Sequence, residues 1–147
     1  LRRLAGPTIR FAGRVSDAEV AAALRSAKAL VVTAKEEFGI AAVEAQASGR
    51  PVVALDEGGV PETVLEGLTG TFYAGNDPDA LAAAVLRFDA DAVDPQACVQ
   101  NAERFDEAHF RHGIRAIVER AGQGDRPLRG ARRRPPLRAR GLAGQAP

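Results

Sequence analysis

The sequence predicts an α/β domain: a parallel sheet with helices on both faces, then helices alone, then a disordered tail. Three observations carry this. Short, wholly apolar runs such as Ala29–Thr33 (ALVVT) and Val52–Leu55 (VVAL) alternate with longer stretches of helical spacing. Runs apolar on both faces are what strands buried in a parallel sheet look like, and strand–helix alternation builds such sheets. Beyond Ala74 the extended runs stop, and from Gly122 the chain is Gly, Pro, Arg and Ala with few large apolar residues, a composition that cannot bury a core.

Taken in order, Leu1-Arg2-Arg3-Leu4 reads as the last turn of a helix, ended by Gly6-Pro7. A chain that starts inside an element suggests missing N-terminal sequence. Thr8–Ala12 reads as a short strand closed by Gly13. Ser16-Asp17 caps a helix, with Glu19 placed for a capping box and Val20, Leu24 and Ala27 forming its apolar stripe. Ala29–Thr33 is a buried strand. A helix opening on Gly39 buries Ile40, Val43 and Ala47 by spacing. Gly49 ends it, Pro51 prevents its resumption, and Val52–Leu55 is a second buried strand. Asp56-Glu57-Gly58-Gly59 leads into a short helix over Val60–Leu65, with Pro61 at a favoured early position. Gly67 and Gly70 bracket a turn before a strand at Thr71–Ala74. Asp77-Pro78-Asp79 starts a helix through Leu81, Val85 and Leu86. Asp89–Asp94 is a polar connection, followed by helices at Pro95–Phe105 and Glu107 to about Ala121.

The 147 residues suit one ordinary domain, but Ala supplies much of the apolar content and aromatics are few, so stability should be modest. The single Cys98 excludes an internal disulfide and points to a reducing compartment, with the cytoplasm as the default. No apolar run approaches membrane-spanning length, and the N-terminus lacks signal-peptide features. Residues 1–121 hold 13 Lys and Arg against 18 Asp and Glu, whereas residues 122–147 hold seven Arg against one Asp. An acidic body, 1–121, and a basic, disordered Arg/Pro/Gly-rich tail, 122–147, are therefore read separately.

The chemistry concentrates in Glu36–Val53 (EEFGIAAVEAQASGRPVV). The N-terminus of its helix offers unpaired N–H groups and a positive dipole end, which suits an anion such as a diphosphate. Gly39 allows close backbone approach by a ligand. Glu36 and Glu44 flank that seat and can accept hydrogen bonds from hydroxyls. Local physics leaves a second reading equally open, a strand–loop–helix–strand unit whose glutamates are only solvated. Ligands of such sheets bind at the carboxyl ends of strands, and the loops after Thr33 and Leu55 both lie there.

The stretch EEFGIAAVEAQASGRPVVALDEGGVPETVLEGLTGTFY resembles the donor-binding core of retaining GT-B glycosyltransferases of the glycosyltransferase group 1 (GT4) family. Glu36 and Glu44 match a glutamate pair separated by seven residues, with Phe38-Gly39 between them. Gly49-x-Pro51 and the Gly58-Gly59-x-Pro61-Glu62 loop match as well, and FAGRVSDAEVAAALRSAKALVVTA resembles the segment that precedes the motif. The resemblance covers about residues 1–121. It implies a partial Rossmann-like sheet, the C-terminal half-domain of a GT-B fold, that binds a nucleotide-diphosphate sugar for retaining transfer of a hexose. It implies that Glu36 is the catalytic carboxylate and contacts the donor sugar's hydroxyls, and that Glu44 holds the ribose. The N–H groups of Gly39, Ile40 and Ala41 face the diphosphate, Phe38 belongs to the same loop, Gly58 and Gly59 pack near the nucleotide, and Glu62 positions their loop. No cofactor and no metal are expected. Position 41 is Ala where the family often has Pro, which leaves the backbone donor in place.

The resemblance also implies parts this sequence lacks. A complete member has an acceptor domain across a cleft. It has two further donor-domain strands carrying a basic Arg/Lys pair. Arg14 follows a different strand, and Lys35 matches no cation position of the family. The chain is therefore expected to be a fragment that needs an acceptor domain or a missing N-terminal part. The alternatives are a non-catalytic nucleotide-sugar-binding subunit and, less favoured, the dinucleotide-binding domain of an oxidoreductase, against which no Gly-x-Gly-x-x-Gly follows any strand. The two absent strands would separate Thr8–Ala12 from Ala29–Thr33. Either a gap exposes apolar edges, or the two segments pair directly, or another chain fills the space.

The remaining features favour structural roles. Asp89-Ala90-Asp91 resembles a metal-binding Asp-x-Asp but sits where capping aspartates are common. His109 and His112 have no third ligand arranged with them. Cys98 has no basic partner and reads as an inert thiol. The Arg-rich tail suits nucleic acid or an anionic lipid surface, and no specific nucleic-acid recognition is expected because it has no aromatics for base stacking. A frame-shifted extension explains its composition equally well.

Overall fold

The structure is a computed structural model and describes residues 1–122. Leu1–Phe110 form one compact unit, and a second begins at Arg111. Of the tail expected from Gly122, only Gly122 falls within the described residues.

In the first unit, β1 (Leu30–Val32), β2 (Val52–Leu55) and β3 (Gly70–Tyr73) form a parallel sheet in the order β1-β2-β3. Leu30 stands opposite Val52, and Val53 opposite Thr71. The connections are α2 (Ile40–Ala47) and the single turn α3 (Val60–Thr63). Helix α1 (Asp17–Ser26) precedes the sheet. After it come α4 (Pro78–Arg87), a short 3-10 turn (Ala90–Ala92) and α5 (Pro95–Glu103), while α6 (Glu107–Gly122) starts at the end of this unit and runs on into the second.

The two faces of the sheet hold separate cores. Val32, Val52 and Ala54 point to one face and pack with Ala42 and Ala45 of α2 and with Val60 and Val64. Val53, Leu55 and Tyr73 point to the other and pack with Ala84, Leu81 and Phe88 at α4. All four residues of β2 are buried, as the central strand of a sheet covered on both sides must be.

Local signals set the helix ends. At α1 the capping box forms: Ser16 Oγ accepts from Glu19 N–H, and Ser16 N–H donates to the Glu19 carboxylate at 2.8 Å. Asp77 caps α4 and Asp94 caps α5, each followed by Pro. Gly49 adopts φ +72°, beyond the end of α2, so that Arg50 N–H reaches back to Ala45 O at 2.9 Å.

Four sequence expectations are corrected. Thr8–Ala12 is no strand, and each of its residues is exposed. It does not pair with β1, which is an edge, and a lone extended segment has no ladder to stabilise it. Apolar side chains such as Ile9 and Phe11 are left exposed as a result. Secondly, β1 is not buried on both faces, because α4 packs on β2 and β3 and leaves Val31 44% exposed. Thirdly, α2 buries Ala42, Ala45 and Gln46, whereas Ile40 and Ala47 are exposed and Val43 is half-buried. Ala42 and Ala45 fit closely against the sheet, and Gln46 is buried because its amide is hydrogen-bonded to Thr63 and Asn101. Lastly, the stripe of α1 is shallow: Val20 is exposed and only Leu24 packs on the core.

Candidate functional site

Two loops meet at the carboxyl ends of the strands. Residues 33–39 follow β1 and residues 56–59 follow β2. They continue the sheet's pairing through a parallel bridge between Glu36 and Gly58, with Gly59 N–H donating to Glu36 O at 2.7 Å. The double glycine makes this approach feasible. A Cβ at Gly58 would run into the carbonyl oxygen of Glu36, and one at Gly59 into that of Glu37. Gly58 also has φ +75°, which a side chain rarely adopts.

Gly39 enters α2 in the left-handed region at φ +83°, and a Cβ there would lie 2.8 Å from Val60 Cγ2. Its missing side chain thus serves the turn and the packing on Val60. Val43 and Ala42 donate to Gly39 O, while the N–H groups of Gly39, Ile40 and Ala41 have no backbone acceptor among the described residues. They form the positive end of α2, whose first turn carries no acidic side chain.

These loops border two adjoining concavities of about 460 and 380 Å³. Glu36, Phe38, Gly39, Ile40 and Ala41 line the first; Glu36, Gly58, Gly59 and Glu62 line the second. Lys35, Glu36 and Glu37 form the ridge between them. Glu44 is exposed one turn along α2 and lines a third concavity of about 400 Å³ between α1 and α2, beside Asp17 and Leu24. The structure thus gathers all the sequence-selected residues except Glu44 around one ridge.

Lys35 is the cation lining both ridge concavities. Its Nζ stands 3.8 Å from the Glu57 carboxylate, with both side chains well exposed. Such a pair is weak and leaves the ammonium available to an anion. Sequence reasoning set Lys35 aside because no motif position marks it. Its place is visible only once the two loops are brought together.

The loop is braced by Phe105, just beyond the end of α5. Phe38 and Phe105 rings meet edge to face with centroids 5.7 Å apart. Asn101 Nδ2 donates to Gln46 Oε1 at 2.6 Å and to Thr63 O at 2.8 Å, and Gln46 Nε2 donates to Thr63 O at 3.0 Å. This buried amide pair ties α2, α3 and α5 together under the site. No sequence signal marked it, because Gln46 and Asn101 look like surface residues of two helices.

The other candidates hold structural roles. Asp89 caps the 3-10 turn by accepting from Asp91 N–H at 3.1 Å, and Asp91 pairs with Lys28 at 3.0 Å. Asp106 accepts from His109 N–H at 2.7 Å and meets His109 Nδ1 at 2.8 Å. These bonds, the backbone one first, hold the Asp106 carboxyl below its usual range. Cys98 is fully buried, and burial pushes its thiol up, assisted by the charge of Asp94. No helix among the described residues is long and apolar enough to cross a membrane.

Comparison with known proteins places this geometry. Residues 2–105 match the family described as Glycosyl transferases group 1. The chain is 44% identical over 85 residues to a D-inositol 3-phosphate glycosyltransferase of Streptomyces griseus, covering 57% of this chain and 18% of that protein. The enzyme of the same name from Mycobacterium marinum is 40% identical over 92 residues, covering 58% of this chain and 20% of the relative. The chain therefore spans about a fifth of the length of these relatives. Among solved structures, sucrose-phosphate synthase from Thermosynechococcus elongatus superposes with a TM-score of 0.69 at 26% identity, covering 78% of this chain and 30% of that one. The α/β class expected from the sequence, a partial Rossmann-like parallel sheet of GT-B type followed by helices, is the one observed. The chain belongs to the glycosyl transferases group 1 family.

Proposed function

We propose that this chain is the donor-binding part of a retaining hexosyltransferase that uses a nucleotide-diphosphate sugar. The observation that carries the reading is the ridge at the strand ends. There the open N–H groups of Gly39, Ile40 and Ala41, the Glu36 carboxylate and the Gly58-Gly59 backbone border adjoining concavities. The diphosphate sits on the N–H groups of α2, where fixed dipoles oppose the negative charge that grows on it as the glycosidic bond breaks. Glu36 accepts hydrogen bonds from the sugar hydroxyls, as the carboxylate nearest the reacting centre. Glu44 holds the ribose from the second turn of α2. Phe38 walls the first concavity, and Gly58, Gly59 and Glu62 border the nucleotide side. No metal takes part in this scheme, because helix dipole and side chains supply the positive potential. The setting is the cytoplasm, where nucleotide sugars are supplied.

The acceptor surface and the transfer step belong to the whole enzyme in this reading, and this chain contributes the donor half. Titration calorimetry with uridine- and guanosine-diphosphate sugars tests it. Binding of one nucleotide sugar, weakened by Glu36→Gln and by Glu44→Ala, is the expected result. Absence of binding to every nucleotide sugar by the folded chain would sink the donor-site reading. Efficient sugar transfer by this chain alone would overturn its dependence on a further acceptor part.

A further inference from the structure

We propose that Lys35 is the side-chain cation of the diphosphate seat, and that Glu57 competes with the ligand for it. The proposal rests on the donor-site reading and adds to it a residue that no motif marks. Among the described residues lining the two ridge concavities, Lys35 alone carries positive charge, against the carboxylates of Glu36, Glu37 and Glu62. A diphosphate entering there meets repulsion from three acids. The dipole end of α2 opposes this with roughly half an elementary charge, and one ammonium adds a whole one. Lys35 also borders the same concavity as Gly39, Ile40 and Ala41, whose N–H groups have no backbone acceptor among the described residues. The two loops fix where it stands. Glu36 O accepts from Gly59 N–H at 2.7 Å, which holds the residue next to Lys35 against the second loop. The Lys35 stem lies over Gly58, where an added Cβ would come within 3.1 Å of Lys35 Cγ.

The ammonium is held loosely. Its Nζ is 3.8 Å from the Glu57 carboxylate, outside hydrogen-bond range, and its side chain is 69% exposed. An exposed pair of this kind is weak and leaves the three ammonium donors to be satisfied. A phosphate oxygen satisfies them with opposite charge, which a neutral sugar hydroxyl does not. A carboxylate from a further part of a longer protein would pair with Lys35 too, but it would add another acid to a site that already holds three. The diphosphate is the anion that suits both the ammonium and the N–H groups beside it.

The test is titration calorimetry of the full chain with uridine diphosphate and guanosine diphosphate, at low and at raised salt. Lys35→Gln should weaken the nucleoside diphosphate at least about tenfold, as expected for a hydrogen bond between charged groups. It should also flatten the dependence of affinity on salt, and Lys35→Arg should restore most of the affinity. Glu57→Gln should tighten binding by about two- to fivefold, because the ammonium is released from its weak pair. Lys28→Gln removes the same charge from a lysine paired with Asp91, outside the ridge, and should change affinity by less than about twofold. An unchanged affinity in Lys35→Gln, with Glu44→Ala still weakening the ligand, overturns the proposal and leaves the donor-site reading standing. Equal losses in Lys35→Gln and Lys28→Gln overturn it as well, by reducing Lys35 to a share of the overall charge. Weaker binding in Glu57→Gln makes Glu57 a support of Lys35 and overturns the competition. Absence of binding of either diphosphate to the folded parent chain brings down the donor-site reading, and the role of Lys35 with it.

Discussion

Asn101 Nδ2 donates to Gln46 Oε1 at 2.6 Å, joining residues 55 positions apart in a buried site beneath the loop that carries Glu36. Both side chains are almost completely enclosed, and no buried polar side-chain atom is left without a partner among the described residues. Gln46 also donates to Ala42 O and Thr63 O, and Arg104 donates to Asn101 Oδ1. The pair therefore decides how α5 sits on α2.

Asn101→Leu should destabilise the fold by about 1–3 kcal/mol, because Gln46 Oε1 and Thr63 O lose a donor inside the core. A lowered urea midpoint with an unchanged m-value would show this. An unchanged midpoint would mean that the amide pair contributes no net stability.

The glycines separate two causes of strain. Gly59→Ala puts a Cβ into the Glu37 carbonyl and must push the two site loops apart. Gly67→Ala meets nothing but has to adopt φ +74°, at a cost of roughly 1–2 kcal/mol. Gly6→Ala has open space and no left-handed φ, so it should be neutral. Chemical denaturation should rank them in that order. Only Gly59→Ala should also weaken nucleotide-sugar binding at a temperature where all three are folded.

The acid side of the stability profile follows from two carboxylates. Glu19 accepts from the Ser16 backbone and hydroxyl, in that order of effect, which lowers its pKa from the ordinary 4.5. Asp106 is lowered from 3.8, chiefly by the His109 backbone N–H. A depressed folded-state pKa contributes stability that is complete above the unfolded value and lost as pH falls through the folded one. Melting temperature should therefore fall on acidification below about 4.5. Glu19→Gln should flatten that decline, and an identical slope in the variant would remove Glu19 from the account.

Much of this was readable from the chain. Ser16 and Glu19 are three apart, so their capping box is a local fact and formed as expected. The burial of β2 followed from an apolar run that needs cover on both faces. Burial of α2 was not readable in the same way. Spacing pointed to Ile40, Val43 and Ala47, but the face that meets the sheet is chosen by fit, and Ala42, Ala45 and Gln46 fit. The burial of Gln46 depends on Asn101 and Thr63, which no local window contains. The double glycine at 58–59 was recognisable as special. That its lost side chains make room for the Glu36 and Glu37 carbonyls required the two loops in place.

Cys98 offers a direct check on the core. It is fully buried and its thiol is pushed up, first by burial and then by Asp94, so little reactive thiolate reaches solvent. Alkylation by iodoacetamide should be at least about a hundredfold slower in the native chain than in urea. Rapid native alkylation would mean that α5 opens readily, and with it the brace behind Phe38.

The most discriminating prediction concerns Glu36 and Glu44, which line separate concavities, one at the start of α2 and one between its later residues and α1. If Glu36 faces the sugar and Glu44 the ribose, their losses must depend on which part of the ligand is present. Glu36→Ala should weaken a nucleotide sugar by about 10–100-fold, the range for a hydrogen bond to a charged group, yet leave the bare nucleoside diphosphate unchanged. Glu44→Ala should weaken both ligands by a similar factor, because both contain the ribose. Calorimetry with the two ligands on the two variants gives four affinities. Equal losses for both ligands at Glu36 would move it off the sugar. Unchanged affinities at Glu44 would leave that carboxylate as a solvated residue in the groove between α1 and α2.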